Sequence, residues 1–388
     1  MSRHLNSRRL VACIATALLT HLTTACSGSG DLQAAVTADG TRRITAPTTR
    51  IEPWTWQEIV LSVDSGHGSA QPVSSCWLGD NLIVADGASA QLSGYSNSGD
   101  RVSHFRITGT LAGKFRSLAA VRCAWNGAHL LVVDETSTKI SFFDSSGNWI
   151  NTVKAPRAPN TGLFIAGEYA ISSDSTWFDS WLSGRLGPYL EDDTWSQVYL
   201  VRSWNNNGER IREFGAPSKY QDKTLRRVFN AVDFAMARDT LWVLQRANAR
   251  LQGFRLDGQP VGEILLLPVY HMGREPHIEL GPATTGTFLR QNRAVYHPNV
   301  DGLVILSDSL FATIRRTDWT ERESSGATSL NSTNSIEIFN RHGAVVTRID
   351  VPSSENVRSL SSDGRSHLAV IYVDAADKRH IAVTKWPR

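Results

Sequence analysis

Apolar residues fall in short, recurring runs of four: Leu82-Ile-Val-Ala85, Leu130-Leu-Val-Val133, Leu241-Trp-Val-Leu244, Leu303-Val-Ile-Leu306 and Leu368-Ala-Val-Ile371. A run of this length, bounded by polar turn residues, predicts a strand buried on both faces. Behind the first run come Asp86, Leu92, Tyr95, Gly99 and Val102; behind the second come Asp134, Ile140, Phe143, Gly147 and Ile150, each 48 residues later. The landmarks describe a strand, a polar turn, an alternating strand, and a Ser-Gly or Asp-Gly hairpin into a further strand. The pattern returns at Val201, Trp204, Gly208 and Ile211, at Leu251, Phe254, Gly258 and Val261, and, after a long interruption, at Ile336, Phe339, Gly343 and Val346. Ile381-Ala-Val383 ends a sixth unit. The units begin near residues 73, 118, 163, 230, 294 and 356.

Periods of about 40–50 residues with four strands per unit are the signature of a β-propeller. One blade leaves its sheet faces uncovered, so neighbours must stack, and closing the ring removes the last exposed faces. The expectation is an all-β chain whose residues 50–388 form one six-bladed propeller. The last unit stops after a third strand at Trp386. Its fourth strand is expected from the N-terminal segment Trp56–Val63, which closes the ring.

The turn between the second and third strands carries a family resemblance. Ala85-Asp86-Gly-Ala-Ser89-Ala-Gln91-Leu92 and Val133-Asp134-Glu-Thr-Ser137-Thr-Lys139-Ile140 resemble the NHL repeat, a V-A-D-x-x-N-x-R-I pattern; Gln245-Arg-Ala-Asn248-Ala-Arg250-Leu251 keeps the Asn and Arg. The resemblance implies blade architecture and leaves function open, since such propellers include ligand-binding and RNA-binding modules, lyases and lactonase relatives. Asp86 and Asp134 read as groups that fix their turns, because Asp bonds its own backbone there.

The N-terminus reads as an address. Arg3, Arg8 and Arg9 precede an apolar stretch from Leu10 to Leu22, and Thr23-Thr24-Ala25 lead to Cys26. This is the order of a secretory signal, too short to span a bilayer comfortably. Its end resembles a bacterial lipobox, with Thr23 where Leu is usual. The resemblance implies removal of residues 1–25, acylation of Cys26, and a lipid membrane as partner. Several acyl chains hold a protein where one is marginal. Residues 26–49, rich in Gly, Ser, Ala and Thr, are expected as a flexible tether. The implied location is the cell envelope, outside the cytoplasm; Ser27 in place of Asp favours the outer membrane in a Gram-negative cell. The chain has 40 Lys and Arg against 37 Asp and Glu, a formal charge of +3. The three arginines of the signal account for that excess, so the mature chain balances. No basic stripe exists to bind nucleic acid.

Cys13 leaves with the signal. Cys76 and Cys123 remain, on the first strands of units one and two. An even pair in an exported chain suggests a disulfide; two buried free thiols are the other reading, because a bridge needs Cα atoms about 4.4–6.8 Å apart.

Three expansions interrupt the repeat, all at the end of the ring where blades are joined to one another. Ser175 to Ser196 holds Trp177, Trp181, Tyr189 and Trp195; Tyr270 to Arg293 holds His271, Arg274, Glu275 and His277; Arg315 to Asn334 holds Trp319. Long loops in a compact repeat are functional sites or mobile segments. The aromatic residues with Arg274 are candidates for gripping a ligand, or else they pin their own loop. His271, His277 and Glu275 are candidate metal ligands at no standard zinc spacing, with His67 and His297 placed to converge on the channel mouth. No nucleophile elbow, P-loop, H-E-x-x-H or Cys-x-x-Cys is present. The leading expectation is a cofactor-free binding scaffold for an unidentified ligand or envelope protein. The alternative is a lactonase-like hydrolase or lyase using a divalent cation.

Overall fold

A computed structural model describes residues 34–36, 42–44, 51–52, 56–59, 71–105, 115–156, 168–180, 182, 198–218, 230–246, 249–266, 300–322, 328–351 and 357–385. The chain is an all-β, six-bladed propeller. Blade one comprises Pro72–Leu78, Asn81–Asp86, Gln91–Tyr95 and Arg101–Phe105, counted from the channel outward. Blade two comprises Leu118–Cys123, His129–Asp134, Lys139–Asp144 and Trp149–Lys154. Blade three is built from Glu168–Ile171, Trp177–Ser180, Val201–Trp204 and Arg210–Phe214. Blade four runs through Val232–Ala237, Thr240–Gln245, Arg250–Arg255 and Pro260–Leu265. Blade five is Val300–Ser307, Leu310–Arg322, Thr328–Asn340 and Val345–Asp350. Blade six takes Val357–Ser362, His367–Val373 and Arg379–Lys385 from the C-terminus.

Its fourth strand is Gln57–Glu58, antiparallel to Arg379–Lys385 through Glu58 opposite Ala382 and Gln57 opposite Val383. The ring is therefore closed by the N-terminal segment, as the missing last strand required. The same segment makes a second pairing that the sequence did not announce: Ile51–Glu52 adds to blade five, parallel to Arg348 and Ile349. Within the stretch expected as a tether, Ala34–Val36 pairs with Arg42–Ile44 as a small two-stranded sheet. The signal segment and Cys26 lie outside the described residues.

The core is six apolar layers, one between each pair of neighbouring blades. The four-residue runs explain why. In blade one, Ile83 and Ala85 face blade two, while Leu82 and Val84 face blade six. In blade two, Leu130 and Val132 face blade one, and Leu131 and Val133 face blade three. Alternate side chains of one strand thus enter two different layers, and no face is left for polar residues. The layer between blades six and one includes Ile59 of the closing segment together with Trp77, Tyr95, Ile371 and Ile381. The outer strands behave differently. Val102, Ile150, Ile211, Val261 and Val346, which mark the fourth strand in the repeat, are exposed at the rim.

The Asp of the family-like turn does structural work at both positions. Asp86 accepts hydrogen bonds from the backbone N–H of Gln71 (3.0 Å) and Ala88 (2.9 Å) and from the Ser89 hydroxyl (2.9 Å). Asp134 accepts from the N–H of Arg116 (2.8 Å), Ser117 (3.2 Å) and Ser137 (3.1 Å). Each carboxylate ties the turn to the segment that enters the same blade.

Candidate ligand site at the mouth of the central channel

Every innermost strand enters from the outer strand of the preceding blade, so all six start at the same end of the channel. Second strands run back and finish there. This end is the mouth. Of the three expansions, the blade-five hairpin is described and extends here. Ser175–Ser180 instead forms a turn at the other end and a second strand, and Tyr270–Arg293 lies outside the described residues. Blade five forms its expansion as an extension of one hairpin, with pairing continuous from Leu310 opposite Asn340 to Arg322 opposite Thr328.

The innermost strands of all six blades line a cavity of about 590 Å³. Its mouth is charged because strands begin there with polar residues. Glu168 is the first residue of its strand; Asp233 and Asp301 are second in theirs; Arg246 directly follows the second strand of blade four. Arg122 reaches in from blade two. Its Nη2 donates to Glu168 Oε1 (2.7 Å), its Nη1 to the Ser74 hydroxyl (3.0 Å), and its Nε to the Tyr169 carbonyl (3.0 Å). One guanidinium thereby joins blades one, two and three. Arg246 does the same for blades four and five: its Nε and Nη2 both reach Asp233 Oδ1, the former at 2.9 Å, and its Nε also lies 3.2 Å from Asp301 Oδ1. The N–H of Gly302 donates to Asp233 Oδ2 at 2.7 Å.

Burial pushes the Asp233 carboxyl up to about 8; Arg246 opposes the shift, and Asp301 and Glu168 add to it. Burial also works against the Arg246 charge, but Asp233 and Asp301 outweigh it and raise its titration above the ordinary value.

On the opposite side of the channel the wall carries hydroxyls together with the charged Arg358 and Asp363 of blade six. Ser75 and Ser361 are hydrogen-bonded to each other across blades one and six at 2.8 Å, and Ser359 also lines the cavity. Cys76 and Cys123, on the innermost strands of blades one and two, are joined as a disulfide with Cα atoms 5.5 Å apart. At the far end, Trp125 of blade two crosses the channel. It packs against the layer between blades four and five, and its ring lies against Gly364 of blade six. A Cβ on Gly364 would sit 2.3 Å from that ring, so only glycine admits it.

Of the aromatic candidates, Trp177 is a core residue and not a ligand platform. Its ring is fully buried between blades two and three, stacks on Trp204 at 5.4 Å, and donates its indole N–H to the Asn205 carbonyl (2.8 Å). The backbone of Trp319 lies in the blade-five hairpin opposite Asn331. Trp181, Tyr189, Trp195, Arg274, His271, His277, Glu275, His67 and His297 fall outside the described residues. Among the described residues no group of three or more His, Cys, Asp or Glu is placed to hold a metal ion.

Reading the sequence for motifs missed Arg122, Glu168, Asp233, Arg246 and Asp301. Superposing the repeats would have flagged three of them, since a carboxylate recurs at the first or second place of the innermost strand in blades three, four and five.

Fold and site together define a six-bladed propeller with a charged, cross-braced channel mouth. No protein-family model matches the chain, and no curated protein matches it. It is similar to several solved structures over most of its length. A member of the DUF4221 family from Bacteroides vulgatus is similar at a TM-score of 0.49 and 11% identity, covering 88% of this chain and 96% of that one. Virginiamycin B lyase from Staphylococcus aureus is similar at 0.45 and 10% identity, covering 85% and 99%. The propeller domain of Cps50 (Swd1) from Myceliophteria thermophila is similar at 0.43 and 11% identity, covering 85% and 99%. The likeness is one of fold, and fold does not carry function.

Proposed function

We propose that this protein is a lipid-anchored, extracytoplasmic propeller that binds a ligand or an envelope partner at the mouth of its channel, without catalysis. The observation that supports this reading most is the coincidence at one end of the molecule. The charged residues from blades two to five line the cavity, the blade-five hairpin extends at the end where blades are joined, and chain order assigns residues 183–196 and 270–293 to connections at that same end. Loops carried on a rigid scaffold are where binding residues concentrate. The address rests on Cys26 and the segment before it, and the acyl anchor would place the mouth within reach of the envelope.

Two measurements test it. Mass spectrometry of the protein extracted from membranes should show residues 1–25 removed and Cys26 acylated; an unmodified Cys26 would remove the anchor. Partner capture by cross-linking should be lost when residues 183–196 are replaced by a short Gly-Ser linker and the blade-five hairpin is shortened by joining Thr317 to Thr333 through Asn-Gly. Unchanged capture by those folded variants would sink the loop-face reading.

A further inference from the structure

One end of the channel carries a bulky ring. Trp125 crosses it from blade two to reach Gly364 of blade six and the apolar layer of blades four and five. Among the described residues, the cavity lies between this ring and the charged residues at the other end of the innermost strands. Its volume, about 590 Å³, lies within the range of small-molecule sites, roughly 300–1,000 Å³.

The chemistry of the wall selects the occupant. The charges of the mouth are already engaged with one another, Arg122 with Glu168 and Arg246 with Asp233 and Asp301, and on blade six Asp363 is held by His367 while Arg358 also lines the cavity. An ionic ligand would add a charge beside pairs that are already matched, a charge with no partner of its own in a partly desolvated channel, which is costly. A neutral ligand faces no such penalty. Two neighbouring groups nevertheless retain capacity. Arg246 directs Nε and Nη2 at the carboxylates, which leaves Nη1; Asp301 engages through Oδ1, which leaves Oδ2. Both side chains line the cavity and keep about a quarter of their surface, 23% and 27%. A donor beside an acceptor matches a hydroxyl, which both donates and accepts. Ser359 faces the same space from blade six.

We propose that the channel is a pocket for a neutral, hydroxyl-rich ligand of mono- to disaccharide size, whose adjacent hydroxyls are held by Arg246 and Asp301. The proposal rests on the reading of the channel mouth as a ligand site and adds the class of ligand.

Isothermal titration calorimetry of the full chain tests it, with glucose, maltose and trehalose as probes and glycylglycine and citrate as ionic comparators. At least one sugar is expected to bind saturably with a Kd of about 1 mM or tighter, the comparators giving no saturable heat. Asp301→Asn and Arg246→Lys are each expected to weaken the sugar about tenfold, the loss of one charge-assisted hydrogen bond. Ser359→Leu narrows the pocket while leaving every ion pair in place, and it abolishes binding in a protein that still folds. The proposal falls if no sugar saturates, if an ionic comparator binds in its place, or if the folded Ser359→Leu protein keeps its affinity. Sugar binding that survives in the loop-shortened variants, with partner capture unchanged, would overturn the loop-face reading and leave the pocket standing.

Discussion

Arg202 and Asp179 show how one pair of residues decides the shape of a blade. Both are buried in blade three, their side chains 5% exposed. Arg202 Nε donates to Asp179 Oδ1 at 2.9 Å, the Trp204 indole N–H donates to the same oxygen at 2.9 Å, and the guanidinium lies 5.1 Å above the Trp204 ring. Burial raises the Asp179 carboxyl and lowers Arg202, so each needs the other to remain charged. Removing one partner strands a buried charge. Arg202→Ala is therefore expected to cost about 3–5 kcal/mol in denaturant unfolding. Replacing both, Arg202→Met with Asp179→Leu, should return most of that loss, because well-packed apolar pairs substitute for buried ion pairs at little cost. A double variant as unstable as the single one would contradict this account. The same pair explains why Trp177 reads as a loop residue in the sequence. Blade three has Trp177-Phe-Asp-Ser180 where other blades carry four apolar residues, and the distant Arg202 and Trp204 make Asp179 fit a buried strand.

At the scale of the element, strands were legible wherever their side chains enter two layers, since that demands an unbroken apolar run. The hairpins were legible from their turns. Asp144 illustrates the reason: it accepts from the N–H of Ser146 and Asn148 and leads into Gly147 at φ 80°. The parallel pairing of Ile51–Glu52 was not legible, because two residues held by backbone bonds leave no side-chain period. The closing strand Gln57–Glu58 is almost as short and has a side-chain clasp. His380 Nδ1 lies 2.6 Å from Glu58, its Nε2 lies 2.9 Å from Asp374, and its ring stacks on Tyr372 at 5.2 Å. Glu58, Asp374 and Tyr372 are the titratable groups that face it. Only the imidazolium can donate to both carboxylates; the neutral ring has one N–H. Partial burial opposes the charge, but the bonds to Asp374 and Glu58 outweigh it and raise His380 above its usual 6.5. With the folded value raised, the clasp is at full strength below about pH 6.5 and weakens as pH rises through the folded value. Hydrogen exchange of the Ile59 N–H, which donates to the Ile381 carbonyl at 2.9 Å, should accelerate across that window beyond its intrinsic pH dependence. His380→Gln should remove the extra acceleration. An Ile59 amide whose protection is the same on both sides of the window would rule the clasp out.

For the whole molecule, closure makes blade one a special case, because it is fastened on both sides by different devices. Toward blade two it has the Cys76–Cys123 disulfide, and Arg122 of blade two reaches Ser74. Toward blade six it has the layer containing Ile59, the Ser75–Ser361 hydrogen bond and a Gln57 side chain that donates to the Ser98 carbonyl at 2.5 Å. In an open stack, losing contact on one side leaves an end blade half held. In a ring, it leaves the blade held by its other neighbour and by the ring itself. Single weakening at either boundary should therefore change blade-one opening little, and weakening at both should release it. This is tested by native-state hydrogen exchange of the Leu82 and Val84 amides in three proteins: Cys76→Ser with Cys123→Ser, Gln57→Ala with Ser361→Ala, and the combination. The disulfide loss alone should lower global stability by about 4 kcal/mol on chain-entropy grounds for a 47-residue separation. Local opening of blade one is a separate quantity, read below the global unfolding limit. In the combined variant that opening should exceed the sum of the single effects in free energy, the non-additivity expected of two fastenings on one unit. Strict additivity would mean that blade one never opens by itself, and that the ring yields only as a whole.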